Sequence, residues 1–130
     1  MIIGLNGNSQ NDSIKKGPQI KFLNSILDYD TIERYSNGSR TFIFYNMGDE
    51  PLLITKVKSG CSCTVPKYSK DSIQPGQRGE IIAKYNTKKP GKFNRNLTVT
   101  SNASNQSSKR ITIRGVVIDS KKIYGVEPKK

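Results

Sequence analysis

Polar and apolar residues alternate in short runs along this chain of 130 residues. Turn-forming residues cut the runs at roughly the 8–12-residue spacing that marks all-β sandwiches and barrels. FNRNLTVT (93–100) is the clearest run: Phe93, Leu97 and Val99 share one face, while Asn94, Asn96, Thr98 and Thr100 share the other. A period of two is that of a strand with one face buried. TFIFY (41–45) sets Phe42 and Phe44 against Thr41, Ile43 and Tyr45. EIIAKY (80–85) groups Ile81, Ala83 and Tyr85, RITIRGVVI (110–118) groups Ile111, Ile113 and Val117, and PLLITKVK (51–58) groups Leu53, Thr55 and Val57. QIKFL (19–23) and SILDYDTIE (25–33) read as one or two edge strands. No segment has the period of a long amphipathic helix.

The punctuation points the same way. NMGDE (46–50), just ahead of Pro51, predicts a hairpin connection. Pro75-Gly76 and Pro90-Gly91 each place proline before glycine, as a type II turn requires. The expected fold is an all-β, antiparallel sandwich of about seven strands over residues 19–118. Residues 1–18 are expected to form a flexible segment, and residues 119–130 a basic tail.

Ile, Leu, Val and Phe together number 31, about 24% of the chain. That lies above the roughly 20% below which a charged chain tends to stay disordered, so a modest core can form. The net charge is +12, from 22 Lys and Arg against 10 Asp and Glu. Such a balance favours anionic partners. The cations are scattered, however, in pairs such as Lys15-Lys16, Lys88-Lys89 and Lys121-Lys122, with no aromatic residues interleaved. A solvated basic surface is therefore favoured and a nucleic-acid site disfavoured. No apolar run approaches the roughly 18 residues of a membrane-spanning helix. The opening MIIGLNGNSQ is too short for a signal-peptide core and lacks a basic leader; it reads as the remnant of a trimmed signal or as a tail.

Chemistry-bearing residues are few. The chain has no histidine, and its two cysteines, Cys61 and Cys63, lie in SGCSCTVPKYS (59–69). In an extended strand their β-carbons would stand roughly 6.5–7 Å apart, too far for a disulfide. A bridge would need a bent backbone at Ser62 and would be strained and easily reduced. Two thiolates fall short of a closed zinc site, although linear Cu(I) binding suits soft thiolates. Neither cysteine has a histidine base for nucleophilic catalysis. Simple packing, a disulfide or exchanging thiol pair, and a metal clip therefore all stay open. The sequence shows neither an acid/base carboxylate pair nor a phosphate loop, so no enzyme activity and no cofactor are expected.

The order FIFYNMGDEPLLITKVKSGCSCTVPKYS, IQPGQRGEIIAKYNTKKPGKFNRNLTVTSN and ITIRGVV resembles a family of exported bacterial domains of unknown function, abundant in Bacteroidetes. Its hallmark runs Asn-x-Gly-(Asp/Asn)-x-Pro-Leu-x-Ile, Ser-Cys-Gly-Cys-Thr-x-Pro, Pro-Gly, Gly-x-Phe, and Ser-Asn before a last strand. Those domains are similar to the immunoglobulin-like sandwiches of the PapD, major sperm protein and ASH group. The matching residues include Asn46, Gly48, Asp49, Pro51, Cys61, Cys63, Thr64, Pro66, Pro75, Gly76 and Gly91. The resemblance implies that the glycines and prolines set turns and that Leu52, Ile54 and Phe93 fill the core. Two departures stand out. Ser62 replaces the glycine between the cysteines, where a left-handed bend would be costlier and would count against a bridge. The family's Phe-Gly-x-Ile is Tyr29-Asp30-Thr31-Ile32 here, without the glycine.

The resemblance further implies export to the periplasm or outer membrane. The lack of histidine, of a carboxylate pair and of a phosphate loop, with a fold rich in strand edges, favours a non-catalytic binding or scaffold role in an envelope assembly. The expected partners are proteins, with an anionic glycan or lipopolysaccharide as a further option. The alternative function is a thiol-redox or Cu(I)-binding protein using Cys61 and Cys63. Asp-(Ser/Thr)-aliphatic triplets resemble the O-glycosylation sequon of exported Bacteroidetes proteins and mark Ser13, Thr31 and Ser72 as acceptor hydroxyls.

Overall fold

The computed structural model describes residues 16–120. Ser13 and the far ends of both terminal segments lie outside the described residues. The elements are eight strands: β1 (Ile20–Phe22), β2 (Ile26–Glu33), β3 (Ser39–Asn46), β4 (Ile54–Ser59), β5 (Thr64–Tyr68), β6 (Arg78–Tyr85), β7 (Gly91–Ser101) and β8 (Ser108–Ile118). They form two four-stranded sheets, β1-β3-β6-β5 and β2-β8-β7-β4. One strand pair departs from the antiparallel expectation. β2 lies parallel to β8, because both strands run toward the same end of the sandwich.

The alternation read from the sequence selects the core. Phe42, Phe44, Ile81, Ala83, Leu97, Val99, Ile111, Ile113 and Val117 are all buried between the sheets. β4 breaks the expected phase. Leu52, Ile54 and Val57 are the buried residues there, and the register shifts between Ile54 and Lys56. A bulge adds one residue to a strand, so a strict period of two fails across it. Residues 46–50 form no hairpin either: β3 pairs within the first sheet and β4 within the second, so this loop crosses between sheets. Pro75-Gly76 is the expected turn, with Gly76 at φ 82° and the Gln77 N–H donating to Gln74 O at 2.9 Å. Gly91, at φ 126°, opens β7 after another crossing between sheets.

An aromatic cluster closes one end. Tyr85 stacks on Phe93 with centroids 3.9 Å apart, and Tyr29 meets Phe93 edge-on at 5.1 Å. The Tyr29 hydroxyl donates to Gly38 O at 2.6 Å. Burial pushes its pKa up to about 12, against a smaller opposing effect from Arg40. The missing family glycine explains itself here. Asp30 sits at φ 57° in a β2 bulge, the left-handed region that Asp tolerates better than most residues. The Asp30 N–H donates to the Asp28 carboxylate at 2.8 Å, and that bond, with Arg114, holds the Asp28 pKa low.

At the other end, Asn46 is fully buried. Its Nδ2 donates to Glu50 O (2.7 Å) and Ile73 O (2.9 Å), and its Oδ1 accepts from Gly48 N (2.9 Å) and Gln19 N (3.2 Å). Asp49 Oδ1 accepts from Gly17 N at 2.6 Å. A Cβ on Gly48 would collide with the backbone oxygen of Gly17. Asn105 covers the β1 edge by bonding both backbone groups of Ile20, at 3.0 and 2.9 Å.

Candidate functional site

The end opposite Asn46 gathers the residues whose chemistry the core does not use. β4 ends at Ser59, a turn spans residues 60–63, and β5 begins at Thr64. Cys61 and Cys63 are joined as a disulfide, with Cα atoms 5.3 Å apart. The extended spacing does not apply, because both residues lie in the turn. Ser62 also needs no glycine-like geometry: among the described residues, only Asp30 and Tyr35 have positive φ without being glycine. The loop is held from both sides. Ser59 Oγ accepts from Cys61 N (3.3 Å) and donates to Cys61 O (2.8 Å), while Asn86 N donates to Cys63 O (2.8 Å).

Arg95 completes this arrangement. Its position on β7 has the same parity as Phe93, Leu97 and Val99, so its stem enters the inner face. From there Nε donates to Cys63 Sγ at 3.1 Å, and Nη1 donates to Asn94 O at 3.2 Å. Among the described residues the ion pairs are Arg34–Asp119, Arg78–Glu80 and Arg114–Asp28, and Arg95 belongs to none. Reading the sequence missed Arg95, although a signal was present: a cation interrupting the apolar parity of an otherwise regular strand.

A cleft of about 540 Å³ opens beside the disulfide, between the β2–β3 turn, the start of β5 and the β6–β7 connection. Tyr35, Ser62, Cys63, Val65, Lys84 and Lys88 contribute to its lining, and no carboxylate does. Tyr35 is 69% exposed and Val65 is 59% exposed. Tyr35 stands out by its backbone. The Ser36 N–H donates to Glu33 O at 3.1 Å, closing a turn in which Tyr35 occupies the third position at φ 67°. Glycine is the usual residue there, and a side chain in that region costs about 1–2 kcal/mol. The Arg34 guanidinium lies over the Tyr35 ring, 4.7 Å from its centroid.

Among the described residues β5 is an edge strand, and it is a blunted one. The Asn86–Cys63 bond sets the ladder so that Val65 and Lys67 bond β6, while Thr64, Pro66 and Tyr68 turn their backbone groups outward. Pro66 supplies no donor to that edge, which is how proline is tolerated in a strand. Thr64 itself is buried. The remaining residues singled out from the sequence do not join the site. Asn46, Gly48, Asp49 and Pro51 build the opposite end, where Pro51 O accepts from Asn102 Nδ2 at 3.3 Å. Pro75, Gly76 and Gly91 serve turns. Thr31 on β2 and Ser72 in the β5–β6 loop are both exposed. Among the described residues no three His, Cys, Asp or Glu side chains converge as metal ligands.

The fold has relatives among solved structures. A protein of unknown function from Porphyromonas gingivalis W83 superposes with a TM-score of 0.69 at 12% identity, covering 78% of this chain and 48% of that one. This chain therefore spans about half the length of that structure. The ASH/PapD-like domain 7 of human CEP192 gives a TM-score of 0.61 at 8% identity, covering 78% and 86% of the two chains. The CsuC–CsuE chaperone–tip adhesion subunit pre-assembly complex of Acinetobacter baumannii gives 0.53 at 11% identity, covering 78% and 57%. These likenesses bear out an immunoglobulin-like, all-β sandwich. No curated protein sequence matches the chain. The family described as "Protein of unknown function (DUF1573)" matches residues 20–117, and the chain belongs to it.

Proposed function

We propose that the chain is a non-catalytic, protein-binding module of the bacterial cell envelope, exported to the periplasm or outer membrane as a subunit or accessory of a larger assembly. The observation that carries this reading is Tyr35. An aromatic ring held at φ 67° and 69% exposed works against both local backbone preference and burial. Exposed tyrosine with an arginine over its ring is the composition of an interface anchor rather than of a core. Val65, Lys84 and Lys88 flank it in a cleft free of carboxylates, which fits a partner surface carrying acidic and apolar groups. Pro66 blunts strand addition along β5, so the contact is made through side chains.

Three further points support the reading. Sandwiches of this shape serve as protein-binding modules, and the A. baumannii relative is a chaperone captured with an adhesion subunit. The Cys61–Cys63 disulfide suits an oxidising compartment outside the cytosol. The cleft lining carries neither a carboxylate nor a histidine to serve as a general base. The test replaces Tyr35 with the photo-crosslinking residue p-benzoylphenylalanine in the full chain, produced in its native cells. The expected result is one dominant crosslinked partner from position 35 and none from Thr98 on the outer face of the second sheet. No crosslink from position 35, or equal labelling from both positions, overturns the proposal.

A further inference from the structure

The structure assigns Cys61 and Cys63 as a site of thiol–disulfide exchange with an external dithiol, in which Cys61 is the sulfur attacked and Cys63 the leaving thiolate received by Arg95. The first ground is the placement of Arg95. It occupies an inward position of β7, has no carboxylate partner among the described residues, and directs Nε at Cys63 Sγ from 3.1 Å. A disulfide sulfur is a weak acceptor and gives little in return for a guanidinium. A thiolate accepts a charge-assisted bond roughly twice as strong as a neutral one. The contact is therefore matched to the reduced form, not to the form that the disulfide represents.

The second ground is the asymmetry of the two sulfurs. Cys63 packs against the hydrophobic core and lies 3.9 Å from Thr64 Oγ1, whereas Cys61 does not join the core. Both cysteines are half-buried, and attack at Cys61 is the direction that leaves the electron pair on the sulfur facing Arg95. Arg95 from β7 contacts Cys63, and the charged side chains lining the cleft beside it are Lys84 from β6 and Lys88 from the β6–β7 connection, with Tyr35 and Tyr85 as the other titratable groups there; the carboxylates of Asp28 and Asp30 share a separate pocket with Arg95. Cationic surroundings are what lower a thiol pKa and make it a good leaving group. The third ground is that the Ser59 hydroxyl holds the Cys61 backbone and the Asn86 N–H holds the Cys63 carbonyl, which keeps both sulfurs adjacent after the bridge opens.

Exchange proceeds by two successive displacements at sulfur. A thiolate of the external dithiol attacks Cys61 Sγ, the Cys61–Cys63 bond breaks, and its electron pair leaves on Cys63. The donor's second thiol loses its proton and attacks the donor's own sulfur in the mixed disulfide. The donor leaves as a disulfide, and Cys61 departs as a thiolate that takes up the proton. Two electrons pass from the dithiol to the cysteine pair, and the reverse sequence returns them.

The test uses the full chain and two probes. Treatment with reduced glutathione, acid quenching and fragment mass spectrometry should find glutathione on Cys61 and a free thiol on Cys63; the opposite assignment overturns the proposal. In Cys61→Ser protein, iodoacetamide should alkylate Cys63 with a midpoint at least one pH unit lower when folded than in urea. Arg95→Gln should slow that alkylation at neutral pH by roughly three- to tenfold, once the lower nucleophilicity of a more acidic thiol is allowed for, and Arg95→Lys should restore most of it. Identical profiles in folded and unfolded protein sink the proposal even if Arg95→Gln fails to fold.

Discussion

The two ends of this sandwich use polar groups in opposite ways. At the Asn46 end, a fully buried amide makes four hydrogen bonds, Asp49 caps a neighbouring backbone N–H, and Asn105 seals the β1 edge. Every group named there finds a partner within the chain. At the disulfide end, Arg95 has a sulfur in place of a carboxylate, Tyr35 stays exposed in a left-handed turn, and Lys84 and Lys88 face a cleft without acids. The first pattern is what folding needs. The second is what folding alone would not select, and that difference is the ground on which binding is proposed at the disulfide end.

Substitutions should separate the two ends. The largest effect is expected at Asn46. Asn46→Ala removes two donated and two accepted bonds in a buried site, and should lower stability by about 3 kcal/mol in urea denaturation. Removing the disulfide should matter less. It closes a loop of one intervening residue, so reduction or paired Cys→Ser changes should lower stability by less than about 2 kcal/mol. A loss equal to that of Asn46→Ala would make the bridge a staple and erase the contrast between the ends.

Tyr29 gives a pH-dependent effect of intermediate size. Its phenol titrates near 10 when unfolded but at about 12 when folded. The raised value means that its stabilisation is complete below pH 10 and is lost as pH rises from 10 to 12. Tyr29→Phe should cost about 1 kcal/mol at neutral pH. It should also flatten the alkaline decline when unfolding midpoints are compared across that window.

Much of the fold was legible because burial on one face imposes a period of two. Phe93, Leu97 and Val99, or Ile111, Ile113 and Val117, can be read by parity alone. Two features escaped that reading for a common reason: they depend on partners distant in sequence. The β4 bulge shifts phase against β7, and the 46–50 loop crosses to the second sheet while buried Asn46 ties its start to Ile73 and Gln19. At the site, the cysteines were conspicuous, but their geometry depends on a turn that a strand-spacing argument does not contain. Arg95 was legible in principle, as the wrong residue type in an inward register. Tyr35 was not, because nothing in Glu33-Arg34-Tyr35-Ser36 announces a turn that normally takes glycine.

The smallest change in stability carries the most direct test. Tyr35→Gly relieves a left-handed side chain at an exposed turn and should leave the protein as stable or more stable, by up to about 1 kcal/mol. The same variant, isolated from its native envelope, should lose its bound partner. Measured together by urea denaturation and by co-purification, unimpaired stability with a lost partner is the predicted result. A variant that keeps its partner in full, or that is destabilised, would contradict the claim that this turn is strained in the service of binding.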